Sequence, residues 1–273
     1  MTWAKFGFKT KHRKVELRSM RIVIIGTGNT ASILGRKLRN AGHHIVQVFG
    51  RDAAAASALA YELDSVSVNH WTIVDRSADL YLLAISDLAI EEVRRELDLP
   101  AGTVVHTAAS VPLDTLRGAA PHWGVFYPLQ SLRKSSERLP DIPVLIDAGD
   151  ALTLHQLEEL AQTITSQVAT ADDAARLRLH LAAVFCNNFV NHIYALMEDW
   201  CRRQDLDFRM LLPLIRETAE RVQELPPRES QTGPALRHDD VTIERHRRLL
   251  AGEPRLLSLY DLFTQSIQEK SSV

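Results

Sequence analysis

The sequence predicts an α/β protein with a doubly wound parallel sheet, followed by a second, all-helical domain. Short apolar segments typical of buried strands alternate with helical segments from residue 22 to about residue 165. A glycine-rich turn joins the first of these strands to the first helix. Beyond about residue 170 the strand pattern stops, while helical periodicity continues to residue 269.

The first predicted strand, residues 22–25, leads into a glycine turn and a helix that ends near residue 41. Gly26 permits the tight turn, Gly28 lets the backbone approach a pyrophosphate, and Ala31 replaces the third glycine and keeps the helix close to the strand. The amides that open this helix would face the phosphates with a favourable helix dipole behind them. This unit predicts a Rossmann dinucleotide-binding domain, and its predicted cofactor-binding residues are Gly26, Thr27, Gly28, Asn29, Thr30 and Ala31.

The residues after the second strand, 45–49, favour NADP over NAD. Proteins that bind NAD usually place Asp or Glu here for the ribose hydroxyls, whereas an arginine suits a 2′-phosphate. Arg51 follows this strand, and its planar guanidinium matches a phosphate in geometry and charge. Asp52 comes next and has two possible roles, as a ribose ligand or as the cap of the following helix.

Composition is typical of a globular protein, because 45% of the 273 residues are hydrophobic and 24% are charged. The net charge of −2 gives no general attraction to nucleic acid. No apolar run approaches the roughly 20 residues that would span a membrane. Cys186 and Cys201 lack metal-ligand spacing, so we expect no metal site and a reducing, cytoplasmic compartment.

We predict three regions along the chain. Residues 1–19 carry six basic residues and one acid, so they form either a disordered tail or an over-long start with Met20 as the first residue. Residues 20–170 form the NADP-binding domain, and residues 171–273 form a helical domain for dimerisation and substrate binding. Further strands are predicted at 65–68, 80–85, 103–107, 123–127 and 144–146, the last of them parallel, and helices at 53–63, 90–97, 152–165, 172–203, 208–225 (with a possible bend at Pro213), 240–250 and 254–269.

Polar residues follow three of the predicted strands, at the edge of the sheet where ligands bind in parallel folds. Ser86 and Asp87 follow one strand, although Asp87 is equally suited to capping a helix. Thr107 and Ala108 close the next strand, where small side chains would let a nicotinamide ring lie close to the backbone. Tyr127 closes the third. Ser86, Thr107 and Ala108 complete the predicted cofactor-binding set.

The predicted helix 172–203 is apolar on nearly every side, as is typical of a buried helix. His180 and Asn188 interrupt this surface, together with Asn187 and Asn191. Helical spacing would place positions 180, 184, 187 and 191 in a line along one face of the helix, with Asn188 beside that line. We predict that His180 supplies the proton that accompanies hydride transfer and that Asn188 orients the substrate. A structural role for these residues, at a helix or dimer interface, is the alternative.

A turn at residues 232–239 leads into the helix that follows it. Its Gly-Pro pair shapes the loop, and Asp239 or Asp240 can cap the helix. Arg237 is the candidate group for a substrate carboxylate, or it pairs with a nearby acid.

Taken together, these segments resemble a family of bacterial two-domain proteins that have a Rossmann-like domain and a C-terminal domain of unknown function. The resemblance covers residues 20–269 and is most specific in the segments 180–188 and 232–239. The family looks like a relative of the 6-phosphogluconate dehydrogenase-like reductases, among them ketopantoate reductase, pyrroline-5-carboxylate reductase and deazaflavin-dependent NADP reductases. This resemblance implies NADP binding and a helical dimerisation domain that completes the active site.

One departure from this group affects the expected chemistry. Ketopantoate reductase and related hydroxyacid dehydrogenases carry a catalytic lysine on the corresponding long helix, whereas this chain has no lysine between Lys134 and Lys270. We therefore expect an NADP-dependent oxidoreductase that acts on a small carbonyl, imine or hydroxy acid at the cleft between the two domains, as a homodimer, with His180 in place of the lysine. A non-catalytic NADP sensor or scaffold is the alternative. A methyltransferase built on the same sheet is a third hypothesis, but it would give Arg51 no purpose.

Overall fold

The computed structural model describes residues 19–136 and 138–271. The predicted basic tail therefore lies outside the described residues, except for Ser19. Eight strands are present in the described range: β1 (Arg21–Ile25), β2 (His44–Phe49), β3 (Val66–Val68), β4 (Leu80–Leu83), β5 (Thr103–His106), β6 (His122–Pro128), β7 (Val144–Ala148) and β8 (Val168–Thr170).

The α-helices of the described range alternate with strands up to β8 and then follow one another. They are α1 (Asn29–Asn40), α2 (Ala53–Glu62), α3 (Asp87–Glu96), α4 (Ala151–Ile164), α5 (Asp173–Ala183), α6 (Val190–Arg203), α7 (Leu212–Glu224), α8 (Asp240–Leu249) and α9 (Pro254–Ser271). None of the helices in this range is long and apolar enough to cross a membrane.

All eight strands form one sheet in the order β3-β2-β1-β4-β5-β6-β7-β8. The first six strands run parallel in the order of a Rossmann domain, so the α/β class and the doubly wound sheet are confirmed. The strand order reverses between β1 and β4, and ligands of such sheets bind beyond the carboxyl ends of the strands at this point.

The prediction that residues 144–146 form the last parallel strand is wrong. β7 pairs antiparallel with β6, and β8 adds one more strand beside it. A parallel pair needs a crossover, usually through a helix, whereas the connection from β6 to β7 contains turns and no helix in its described part. The helix α4 then provides the crossover that places β8 parallel to β7.

Two apolar layers cover the faces of the sheet. Alternate residues of β1 point to opposite faces, so Ile22 and Ile24 pack with α1, α2 and α4, while Val23 and Ile25 pack toward α3. This burial on both faces explains why the strands read as continuous apolar runs.

The long helix predicted at 172–203 is confirmed as one helical run, but it contains a π-helical segment, Val184–Phe189, between α5 and α6. The wider turn of a π-helix shifts the positions that follow, so the predicted line of positions 180, 184, 187 and 191 is not kept. The expectation that this helix is buried on all sides is wrong for the single chain, because Leu181 is 57% exposed and Phe185 is 59% exposed.

The chain divides into two compact units, of which the first ends at Ile193 and the second begins at Tyr194. In the second unit, Ile243 and Leu256 are buried, and His246 Nδ1 lies 2.9 Å from Tyr260 Oη. The predicted bend at Pro213 is wrong, because this proline lies in the first turn of α7, where its missing N–H costs no hydrogen bond.

Candidate functional site

The turn after β1 requires glycine at its first position. Gly26 has a φ of 126°, and a Cβ atom there would lie 2.2 Å from the carbonyl oxygen of Ala84. At Gly28 the opposite holds, since a Cβ atom would meet no heavy atom within 4 Å. Gly28 is the N-cap of α1, and no side chain caps this helix. The amides of its first turn are therefore available to an anion in the open space in front of them.

A cavity of about 710 Å³ opens beside this turn, at the reversal point between β1 and β4. The carboxyl ends of β1, β2 and β4, together with one side of α3, form its walls. Its lining includes most of the predicted cofactor-binding residues, namely Gly26, Thr27, Gly28, Asn29, Thr30, Arg51 and Ser86. Ala31 lies behind the turn and is fully buried against the sheet.

Arg51 and Asp52 differ in what they contact at the mouth of this cavity. Asp52 Oδ1 accepts hydrogen bonds from the amides of Ala54 and Ala55 at 2.9 and 3.1 Å, so this carboxylate caps α2. Arg51 is exposed, and within the described part of the chain its side chain has no hydrogen bond or ion pair. Asp52 had two possible roles, as a ribose ligand or as a helix cap, and the structure shows it as the cap of α2.

Trp71 adds an aromatic wall that the sequence reasoning missed. Its ring stacks on Phe49 with centroids 3.7 Å apart and planes inclined by 17°, and both residues line the cavity near Arg51. No local pattern marks Trp71, because it lies in a short 3-10 turn that reaches the cavity only through the folded sheet.

The other two predicted cofactor-binding residues, Thr107 and Ala108, follow β5 and do not line this cavity. Thr107 Oγ1 donates to the carbonyl of Leu83 at 3.2 Å, and Ala108 is buried. Two residues further on, Ser110 donates to Asp87, the first residue of α3. The loop after β5 is therefore tied to β4 and to α3.

His180 meets Tyr127 within the first unit. Their side chains share a hydrogen bond of 2.9 Å between His180 Nδ1 and Tyr127 Oη, and the two rings pack edge to face. The His180 side chain makes no other hydrogen bond among the described residues, so its Nε2 has no protein partner there. Burial raises the pKa of Tyr127, and the charge of Asp87 raises it further. The position of Tyr127 at a strand end was the available signal for this pair.

Two polar residues flank Val125 in the sheet: buried His106 stands opposite Val125 on β5, and half-buried Asp147 stands opposite it on β7. Burial lowers the pKa of His106 to about 4, and the positive charge of Arg176 lowers it as well, while the Pro112 carbonyl opposes the shift. Burial also raises the pKa of Asp147. His106 is therefore neutral at physiological pH and accepts a hydrogen bond from the Ala108 amide at Nδ1.

The structure does not gather all the predicted catalytic residues. Asn188 lies in the π-helical segment and is exposed, so the expectation that it is a buried amide in need of a partner is wrong. Arg237 belongs to the second unit, where it is exposed in the turn before α8, near Asp239, which caps that helix. Its assignment to an anionic substrate group stays a prediction. Among residues 19–136 and 138–271, no cluster of His, Cys, Asp and Glu side chains is placed to hold a metal ion.

Two families match the chain in succession. Residues 21–110 match the family described as NADP oxidoreductase, coenzyme F420-dependent, and residues 142–267 match a domain of unknown function, DUF2520. No match was found among curated proteins.

Solved structures extend this comparison to the whole chain. A candidate NADP oxidoreductase from Bacteroides fragilis is 39% identical over 92% of this chain and 98% of its own, with a TM-score of 0.84. The reductive aminase from Aspergillus terreus, solved with NADPH and ethyl-5-oxohexanoate, is 14% identical, covers 92% and 95% of the two chains and has a TM-score of 0.69. A pyrroline-5-carboxylate reductase from Coxiella burnetii is 14% identical, covers 93% and 98%, and has a TM-score of 0.58.

The last two structures show a shared fold alone, whereas the identity to the Bacteroides protein over nearly the full length of both chains shows a family. The cavity beside the glycine turn lies in the segment that matches the NADP oxidoreductases, and His180 lies in the segment that matches DUF2520. The chain belongs to the family of two-domain proteins that join an NADP oxidoreductase-type Rossmann domain to a C-terminal DUF2520 domain.

Proposed function

We propose that this protein is an NADP-dependent oxidoreductase that transfers hydride to or from a small carbonyl, imine or hydroxy acid. The cavity at the strand reversal carries this proposal, because it combines the open glycine turn with uncapped helix amides. The turn would hold the pyrophosphate, NADPH would supply the hydride for reduction, and the oxidised form would accept it in the reverse direction. The NADPH bound to the reductase-type neighbour of the same fold supports this choice of cofactor.

The preference for NADP over NAD rests on Arg51 and Asp52. Asp52 Oδ1 is already engaged by two amides of α2, which leaves only Oδ2 of this carboxylate for the ribose hydroxyls. Arg51 gives up no such contact among the described residues when it binds a 2′-phosphate. The guanidinium also matches the phosphate in charge and in the geometry of its donors.

His180 is our candidate for the proton donor and acceptor. In the direction of reduction, His180 Nε2 would give its proton to the carbonyl oxygen as the carbonyl carbon takes up hydride, and in the reverse direction Nε2 would take the proton back. Tyr127 orients the imidazole through Nδ1, which is how a partner fixes the tautomer of a catalytic histidine. Asn188 is proposed to orient the substrate. This arrangement uses no lysine, in keeping with the lysine-free stretch between Lys134 and Lys270.

We further propose that the active form is a homodimer that packs through the helical run after β8. Leu177, Leu181, Phe185 and Phe189 are each between 46% and 59% exposed on this run. Large apolar side chains so close together are typical of a protein interface. Light scattering should show a dimer that Phe185→Glu converts to a monomer, whereas Leu88→Glu, at another exposed leucine, should not. A wild-type monomer would contradict the proposal.

The oxidoreductase proposal is tested with purified protein, NADPH and a panel of small ketones, aldehydes, imines and keto acids. We expect the absorbance of the reduced nicotinamide to fall with at least one substrate, and His180→Ala to slow this reaction by roughly a hundredfold or more while NADPH still binds. Full turnover by His180→Ala would remove His180 from the mechanism. Tight NADPH binding without turnover on the whole panel would favour the sensor.

A further inference from the structure

Arg176 on α5 is the largest side chain among the fully buried residues of the described chain. Its Nε donates to the carbonyl of Ala109 at 3.2 Å, and its Nη2 donates to the carbonyl of Val111 at 2.7 Å. Nη2 also lies 2.7 Å from Asp173 Oδ1, one turn earlier on α5. Three of its contacts therefore go to two neighbouring parts of the protein, the loop after β5 and the start of α5.

This burial is not explained by stability. A guanidinium loses its hydration when it is buried, and a buried ion pair often stabilises a fold no better than apolar side chains of the same size. Asp173 is the only carboxylate in contact with Arg176 among the described residues, and its side chain is 49% exposed. Nη1 is buried and has no partner in the described part of the chain. A buried Arg176 is therefore not expected to stabilise the fold more than an apolar side chain of similar size would, which points to a role in positioning.

The loop that Arg176 holds connects the elements of the proposed site. Residues 107–112 leave the end of β5, where we expect the nicotinamide to lie, and Ser110 in this loop donates to Asp87 at the start of α3. Asp173 accepts a second hydrogen bond, from the amide of Leu113 at 3.0 Å, which fixes the far end of the loop. His180 lies one turn after Arg176 on the same side of α5. One buried cation thus sets the loop relative to the helix that carries His180.

We propose that Arg176 is a positioning residue for the nicotinamide half of the cofactor, because it holds residues 107–112 in the shape on which this ring lies. The inference rests on the proposed function, since it assumes that NADP binds with its nicotinamide at the end of β5. The hydrogen bond from Arg176 to Ala109 also links the two segments that match different families, because Ala109 lies in the NADP oxidoreductase segment and Arg176 in the DUF2520 segment.

The test compares two ligands on three variants by titration calorimetry. NADPH covers the whole site, whereas adenosine 2′,5′-bisphosphate carries the 2′-phosphate and lacks the nicotinamide. Arg176→Met removes the clamp at similar length, Arg176→Lys keeps the charge without the two-pronged geometry, and Arg178→Met changes an exposed arginine of the same helix as the control. Hydrogen exchange of residues 107–113 is measured on the same samples.

We expect Arg176→Met to weaken NADPH binding by at least about tenfold and to leave the bisphosphate within roughly twofold of the wild type, because only the nicotinamide end has moved. Exchange at residues 107–113 should become faster. Arg176→Lys should show the same pattern more weakly, so it decides the matter when Arg176→Met does not fold. Arg178→Met should change neither ligand.

Equal loss of both ligands, or loss of neither, in a folded Arg176 variant would overturn the proposal, since a general loss of stability affects both halves of the site. Wild-type protein that binds neither ligand would refute the proposed function instead. Hydrogen exchange still tests the clamp in that case: faster exchange at residues 107–113 in Arg176→Met supports it, and unchanged exchange overturns it.

Discussion

Replacing Gly28 with alanine should separate cofactor binding from folding. Gly28 has a φ of −81° and a ψ of −171°, an extended conformation that alanine adopts without strain. The added Cβ atom would meet no heavy atom within 4 Å. The methyl group therefore disturbs nothing in the empty protein, but it enters the space in which we place the pyrophosphate.

The effect on stability is close to zero because two small terms oppose each other. Alanine is a poorer N-cap than glycine, and this costs roughly 0.5–1 kcal/mol of unfolding free energy. Alanine also restricts the unfolded chain, which returns about 0.4–1 kcal/mol where the native backbone suits it. We expect the unfolding free energy of Gly28→Ala to lie within about 0.5 kcal/mol of the wild type.

The effect on binding is larger. A phosphate that is pushed away from the start of α1 loses at least one charge-assisted hydrogen bond from an amide, about 1.5–3 kcal/mol. This corresponds to a roughly tenfold to hundredfold increase in the Kd of NADPH.

The assay combines an NADPH titration with urea unfolding for Gly28→Ala and for Gly252→Ala. Gly252 is the matched control, because a Cβ atom there would also meet nothing within 4 Å and the residue is not among those that line the cavity. By contrast, Gly26→Ala should fail to fold stably, since its Cβ atom would lie 2.2 Å from the Ala84 carbonyl oxygen. Unchanged NADPH affinity in a stably folded Gly28→Ala variant would refute the placement of the pyrophosphate.

Three further predictions address the cofactor, the histidine pair and pH. Arg51→Ala should weaken NADPH binding by roughly tenfold without changing NADH binding, because only NADPH carries the 2′-phosphate. The control Arg95→Ala should change the binding of neither cofactor. Equal effects of Arg51→Ala on the two cofactors would count against a role of Arg51 in binding the 2′-phosphate. Tyr127→Phe removes the hydroxyl 2.9 Å from His180 Nδ1, so turnover should slow by roughly tenfold or more while NADPH affinity stays the same, and unaltered turnover would exclude the pair. The pKa of His106 is about 4 in the folded protein, against an ordinary value of 6.5. As pH falls, the unfolded chain therefore binds a proton on this histidine before the folded protein does. The free energy of unfolding should fall by about 3 kcal/mol in total as pH drops from about 6.5 to about 4. Urea unfolding at about pH 7 and about pH 4.5 should show a smaller difference in His106→Gln than in the wild type, and equal differences would contradict the shift.

Much of the nucleotide-binding unit is predictable from local sequence. Gly26 and Gly28 follow four apolar residues and precede a helical pattern, and these short-range features are sufficient to locate the turn, the helix and the edge of the sheet that carries the cavity. The cap role of Asp52 was one of two alternatives, and only the distances to the amides of α2 decide between them.

The remaining features depend on contacts between distant segments. The direction of β7 follows from a connection without a helix, and a single apolar run does not reveal this direction. The helical pattern of residues 173–203 is compatible with both an α-helix and an inserted π-turn, so the exposure of Asn188 was not foreseeable. Tyr127, which pairs with His180, and the Ala109 and Val111 carbonyls that Arg176 binds all lie more than fifty residues away in sequence from these partners, and no local pattern links them.

We place the NADP site in the cavity beside the glycine turn. A direct measurement is a titration of the wild-type protein with NADPH and NADH, followed through the fluorescence of Trp71, which lines this cavity, with Trp71→Phe as the control for the signal. We predict saturable NADPH binding at sub-millimolar concentration and weaker NADH binding. The absence of binding by either nucleotide would contradict it.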